Sequence, residues 1–191
     1  MAKLLDKILV IDLESTCWEG PPPEGQVSEI IEVGLVVVDV ATLTRGEKRS
    51  ILVKPVKSQV SEFCTRLTTL TADHLKDAGT LADAAKMLKK EFASQDRLWA
   101  SWGDYDRRQF ERVCKEFNVG YPFGLTHLNA KALFAVVHGL DREIGLDMAF
   151  SRLGLTMEGT HHRGDDDAWN IAGLLCSQLA GARQGAGAGE V

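Results

Sequence analysis

The run Ile8-Leu9-Val10-Ile11, continued by Asp12-Leu13-Glu14, constrains this chain more than any other stretch. Apolar residues without alternation read as a central strand buried on both faces. Successive strand side chains point to opposite faces, so Asp12 and Glu14 share one face. Two carboxylates side by side at the end of a buried strand repel each other and lose hydration. A divalent metal is the simplest counter-charge. If the strand ended earlier, both acids would be solvated and nothing would follow from them.

A second acidic site lies near the C-terminus, in His161-His162-Arg163-Gly164-Asp165-Asp166-Asp167-Ala168-Trp169-Asn170-Ile171. From about residue 165 the pattern is helical, with Ala168, Ile171, Ala172, Leu175 and Leu179 as an apolar stripe. Asp167 stands four residues before Ile171 and so lies on the core-facing stripe, where an unpaired charge is costly. Asp165 suits the N-cap or first turn, and Asp166 points sideways.

The third is Trp99-Ala100-Ser101-Trp102-Gly103-Asp104-Tyr105-Asp106-Arg107-Arg108-Gln109-Phe110. A strand near 97–102 leads into a helix with Phe110, Val113, Cys114 and Phe117 on one face. Asp106 precedes Phe110 by four residues and shares that inward face, whereas Asp104 is placed to cap the helix. By itself the segment reads as two helix-start acids.

Taken in order, the three segments resemble the DEDDh group of DnaQ-like 3′–5′ exonucleases: Asp-x-Glu on a first strand, Asp on a middle helix, His-x4-Asp near the end. The matching residues are Asp12 and Glu14, Asp106, and His162 with Asp167. His161 with Asp166 has the same spacing, but the inward stripe and Asn170 three residues on select His162 with Asp167. Asp12-Leu13-Glu14-Ser15-Thr16-Cys17-Trp18, Ser61-Glu62-Phe63-Cys64 with Leu67-Thr68, and Gly145-Leu146-Asp147-Met148-Ala149 are similar to one branch. It holds the enhancer-of-RNA-interference and histone-mRNA 3′ exonucleases and their bacterial KapD-like relatives. Thr69 departs from that branch, which usually has Gly there, so the substrate is less securely implied than the chemistry.

The resemblance implies a ribonuclease H-like fold and two-metal hydrolysis of phosphodiester bonds at 3′ ends of single-stranded RNA or DNA, releasing nucleoside 5′-monophosphates. Two divalent ions about 3.5–4 Å apart can activate water, stabilise phosphate charge and assist the leaving oxygen. Mg²⁺ suits carboxylate and phosphate oxygens, and Mn²⁺ would fit similarly. Asp12 would bridge both ions, Glu14 and Asp167 would bind the metal holding the attacking water, and Asp106 would act at the second. His162 would be the general base, with an ordinary pKa near 6.5 suited to the task. His74, His127, His138 and His161 are read as structural. Leu13 and Tyr105 are candidates for contact with the terminal base and sugar, as His162 is for the substrate end; Leu13 and Tyr105 suit the core equally well.

The length of 191 residues suits one domain. No apolar run is long enough to span a bilayer and no signal-peptide pattern opens the chain. Cys17, Cys64, Cys114 and Cys176 form no Cys-x-x-Cys pair and read as packing thiols of a reducing cytoplasm. A net charge of −5 argues against a broad grip on duplex nucleic acid, but not against handling a strand's last nucleotides. The segment 17–25 is turn-rich, and strands over 29–40 and 48–53 should form an antiparallel meander with the first. Short helices over 63–76 and a helix around Leu81–Phe92 follow. A strand near 125–129 and helices near 130–138, 145–153 and 165–180 complete a mixed five-stranded α/β sheet with helices on both faces. The exonuclease domain thus spans 1–180, and the Gly/Ala-rich segment 181–191 is expected to be disordered.

Two other classes of function compete with the enzyme. One is a 3′-end-binding module without cleavage, the other a polymerase-associated editing subunit. A pure binder needs no repulsive carboxylate cluster, and no polymerase-docking segment is readable.

Overall fold

A computed structural model describes residues 2–187. Its strands are β1 (Leu4–Ser15), β2 (Ile30–Asp39), β3 (Thr44–Leu52), β4 (Arg97–Ser101) and β5 (His127–Asn129). Its helices are α1 (Glu62–Thr68), α2 (Ala72–Leu75), α3 (Leu81–Phe92), α4 (Tyr105–Glu116), α5 (Ala130–Val137), α6 (Leu146–Arg152) and α7 (Gly164–Gly187). The strands form one sheet in the order β3-β2-β1-β4-β5. The first three are an antiparallel meander, and β4 and β5 add in parallel. The expected mixed sheet is therefore what the chain forms.

β1 sorts its residues into two cores. Leu9, Ile11 and Leu13 pack under α3 and α4 with Leu88, Phe92, Phe110 and Val113. Ile8 and Val10 pack on the other face with Phe134 of α5, Phe150 of α6, and Ala168, Ile171 and Leu175 of α7. Each fully buried Leu, Ile or Phe contributes about 1.5–3 kcal/mol of transfer free energy, so both faces hold the strand firmly. Asp12 and Glu14 continue the even series of Ile8 and Val10. They therefore emerge on the face that α7 covers.

Close approach of α7 depends on two glycines. Gly34 lies opposite Asp12 in the β1–β2 register. A Cβ on Gly34 would stand 1.9 Å from the carbonyl carbon of Gly164, and one on Gly164 would stand 3.0 Å from the Gly34 nitrogen. Only backbone meeting backbone lets the start of α7 reach the sheet there.

α7 extends beyond the expected end near residue 180. Arg183 donates to the carbonyls of Val40 (2.6 Å) and Ala41 (3.2 Å), tying residues 181–187 to the end of β2 as helix where disorder was expected. Residues 188–191 of that segment lie outside the described residues. Asp104 also differs from expectation: it occupies the N-cap position of α4 but makes no capping bond. With φ −103° and ψ −3° it is not in the extended conformation of a capping residue. Its carboxylate faces Arg107 (3.4 Å) and Arg108 (3.8 Å) instead.

Thr69 closes α1 at φ 63°, in the left-handed region that favours glycine. Thr69→Gly should therefore stabilise the protein by about 0.5–1 kcal/mol, once strain relief is set against the added freedom of the unfolded chain. Urea unfolding checks this, and a lower midpoint would show that the Thr69 side chain contributes contacts that outweigh the strain.

Candidate active site

The C-terminal end of β1, the start of α4 and the start of α7 enclose a cleft of about 410 Å³. Asp12, Glu14, Asp106 and Asp167 all line it, together with Leu13, Tyr105, His161 and His162. One carboxylate oxygen from each of Asp12, Glu14 and Asp167 lies within 4.8 Å of the others. Asp106 is buried and accepts a hydrogen bond from the Leu13 amide (3.0 Å), which joins α4 to β1 between the two β1 acids.

Burial is the largest cause of the electrostatic stress here. It pushes the Asp12 carboxyl well above the usual range, reinforced by Asp106, Glu14, Asp167 and Glu32 in turn. Glu14 is pushed up to about 9 by burial, then by Asp167, Glu32 and Asp106, with Arg163 opposing. Asp106 is pushed up to about 7 by burial, against stabilising hydrogen bonds that include the Leu13 amide. Asp12 and Glu14, which resist ionisation, converge with Asp167 within a few ångströms, and these carboxylate oxygens are a fitting donor set for a hard divalent cation.

The histidines divide differently from expectation. His161, set aside in the sequence, donates through Nδ1 to both oxygens of Asp167 (3.0 and 3.1 Å). His162 reaches Asp167 through its backbone N–H (2.9 Å), and its ring stacks on that of His161 with centroids 4.0 Å apart. Burial and the adjacent His161 lower the His162 pKa, so its imidazole is neutral near pH 7. His162 has φ 64°, a strained conformation that sends the loop round to Asp167. Leu13 is buried in the α3/α4 core but still forms a wall of the cleft. Tyr105 is 59% exposed there, open to stacking.

Two further residues bear on this site, of which sequence reasoning passed over Glu32. Trp102 lines the cleft, and its Nε1 donates to the Ile144 carbonyl, setting the loop that carries Gly145, Leu146 and Asp147 into the same wall. Glu32 is completely buried on β2, directly opposite Glu14. A charge in the middle of Ile30-Ile31-Glu32-Val33 was the signal that could have flagged it.

This sheet order, with carboxylates at the end of β1 and on two flanking helices, defines a nuclease-type ribonuclease H-like fold. The family model described as Exonuclease (RNase_T) matches residues 9–175, and the chain belongs to that family. It is 31% identical over 184 residues to 3′-5′ exoribonuclease 1 of Homo sapiens, covering 91% of this chain and 52% of that protein. The chain thus spans about half the length of the mammalian 3′-5′ exoribonuclease 1 proteins it matches. The nuclease domain of 3′hExo, a DEDDh family member bound to rAMP, superposes with a TM-score of 0.82 at 29% identity, covering 94% of each chain. A 3′-exonuclease in 3′-end-specific recognition of a histone mRNA stem-loop gives 0.81 at 28%, covering 93% of this chain and 65% of that one.

Because these carboxyls hold protons more tightly folded than unfolded, ionising them destabilises the fold. In chelator, stability should fall as pH rises from the ordinary carboxylate range near 4 through the Glu14 value of about 9. A divalent cation should flatten that slope by favouring the ionised forms. Urea unfolding between pH 5 and 9, with and without Mg²⁺, measures both; a flat metal-free profile would mean the acids do not repel one another in solution.

Proposed function

We propose that this chain is a metal-dependent 3′–5′ exonuclease that releases nucleoside 5′-monophosphates from the 3′ end of single-stranded RNA or DNA. The convergence of Asp12, Glu14, Asp106 and Asp167 in one cleft beside His162 carries the reading. Membership of the exonuclease family supports the reaction class, and relatives named as exoribonucleases make RNA the first substrate to try. Two Mg²⁺ ions, with Mn²⁺ as substitute, would be held by Asp12, Glu14, Asp106 and Asp167. When bound they supply charge stabilisation at the scissile phosphate and a more acidic water.

The chain's own residues supply the remainder. Asp12 and Glu14 are rigidly presented by a strand buried on both faces, so their ligand geometry is set before substrate arrives. His162, neutral near pH 7, accepts the proton of the attacking water. Tyr105, exposed on the rim, offers a ring for the terminal base, and Leu13 an apolar wall beneath it. Such stacking tolerates any base and needs an unpaired end, in keeping with the absence of a broad positive charge. The cytoplasmic assignment rests on the four free thiols and on there being no helix, among the described residues, long and apolar enough to cross a membrane.

A labelled oligoribonucleotide and its DNA counterpart, incubated with and without Mg²⁺, test the reading. Mononucleotides should appear stepwise, a blocked 3′ end should stop them and a blocked 5′ end should not; rapid cutting of a circular single strand would overturn it. Asp12→Asn should abolish turnover while the protein remains folded. His162→Ala should lower kcat by about 10²–10⁴-fold, and the rate should drop as pH falls through the His162 pKa. If His161→Ala is instead the crippled variant, the ring bonded to Asp167 is the base.

A further inference from the structure

The turn that carries His162 hangs between two anchors. On one side, Asp167 accepts from the His162 amide. On the other, the completely buried carboxylate of Glu32 grips the next two residues. Arg163 donates to Glu32 through Nε (3.2 Å) and a terminal nitrogen (3.0 Å), and the Gly164 amide donates at 2.9 Å. Ser50 of β3 adds a hydroxyl donor, so Glu32 is saturated. We infer that Glu32 and Arg163 are positioning residues of the nuclease: their ion pair, spanning β2 to the turn before α7, fixes His162 and Asp167 over Asp12 and Glu14.

The geometry supports more than a stabilising contact. Glu32 faces Glu14 across the strand pair, so the grip is referenced to the same sheet position that presents the β1 acids. Gly34, two residues on, meets the Gly164 backbone, so α7 is seated at the adjoining point of β2. The strained φ of His162 lies between the anchors, and the Arg163 side chain resists its relaxation together with the His161 and Thr160 bonds to Asp167 and Asp166. A planar guanidinium fork on a buried carboxylate fixes direction as well as distance, which a lysine in its place would not. Misplacing a catalytic group by about 1 Å costs about 100-fold in rate, so such a fixture acts on kcat.

This rests on the proposed nuclease activity, and the test separates the two. Removing Arg163 alone would leave a buried charge unpaired, whereas Glu32→Gln with Arg163→Met removes both charges and keeps an acceptor for Gly164. That double variant should melt near the wild-type temperature, with kcat on a 3′-labelled oligonucleotide reduced by about tenfold or more and KM within about twofold. Hydrogen exchange across residues 160–165, measured without substrate, should be faster. Glu32→Gln alone should move both readouts the same way, less strongly, and serves if the double variant does not fold. Wild-type kcat together with wild-type exchange in either folded variant would overturn the proposal, leaving the pair as a contact of stability only. If the wild-type protein itself cuts no 3′ end, the functional reading fails, and exchange alone then decides whether the bracket holds the turn.

Discussion

Loss of hydration by carboxylates gathered in one cleft, with their mutual repulsion added, is the force against which this structure is built. Asp12, Glu14, Asp106 and Asp167 are brought together by elements that have other reasons to be where they are. β1 is held by apolar packing on both faces, α4 by Phe110 and Val113, and α7 by Ala168, Ile171 and Leu175. Each cluster is worth several kcal/mol of burial, enough to hold acids in place that would separate in water. The cost appears as the Asp12 and Glu14 carboxyls raised above their ordinary values, and a divalent cation would offset it.

The sheet organises this opposition by parity. Odd residues of β1 serve one core; even residues begin in the other and end as carboxylates of the cleft. The chemistry is therefore a continuation of the core pattern, with carboxylates replacing aliphatic side chains where the strand leaves the apolar interior. α7 follows the same logic: Asp167 occupies a stripe position one turn before Ile171, at the end nearest the acids of β1. Backbone contact at Gly34 and Gly164 sets the depth at which the two patterns meet.

Much of this was legible in the sequence because it is periodic. The β1 run, the α7 stripe and the helix-face argument that preferred Asp106 to Asp104 each use spacing alone, and the structure puts Asp106 in the cleft and Asp104 outside it. What escaped depends on contacts between distant segments or on turn conformation. The contact of His161 with Asp167 sits beside a positive φ at His162, and neither is encoded by spacing. The helical residues 181–187 rely on Arg183 reaching the carbonyls that end β2. Glu32 drew no reading from the sequence, because its partner lies 131 residues away in Arg163. The exact seat of Asp104 was missed because capping preference says nothing of the arginines one turn on.

The docking of α7 has a consequence for how the protein is made. Asp12, Glu14 and Asp106 are all synthesised before residue 160, yet they face open solvent on one side until the segment from Gly164 onward lies against β1 and β2. A chain ending before that segment already holds both histidines of the turn but lacks Asp167 and the α7 side chains that cover the Ile8/Val10 face. It has an incomplete acidic cleft and an exposed apolar surface. The helix that completes the cleft also closes this second core, so assembly of the acidic cluster and burial of an apolar sheet face arrive in a single event.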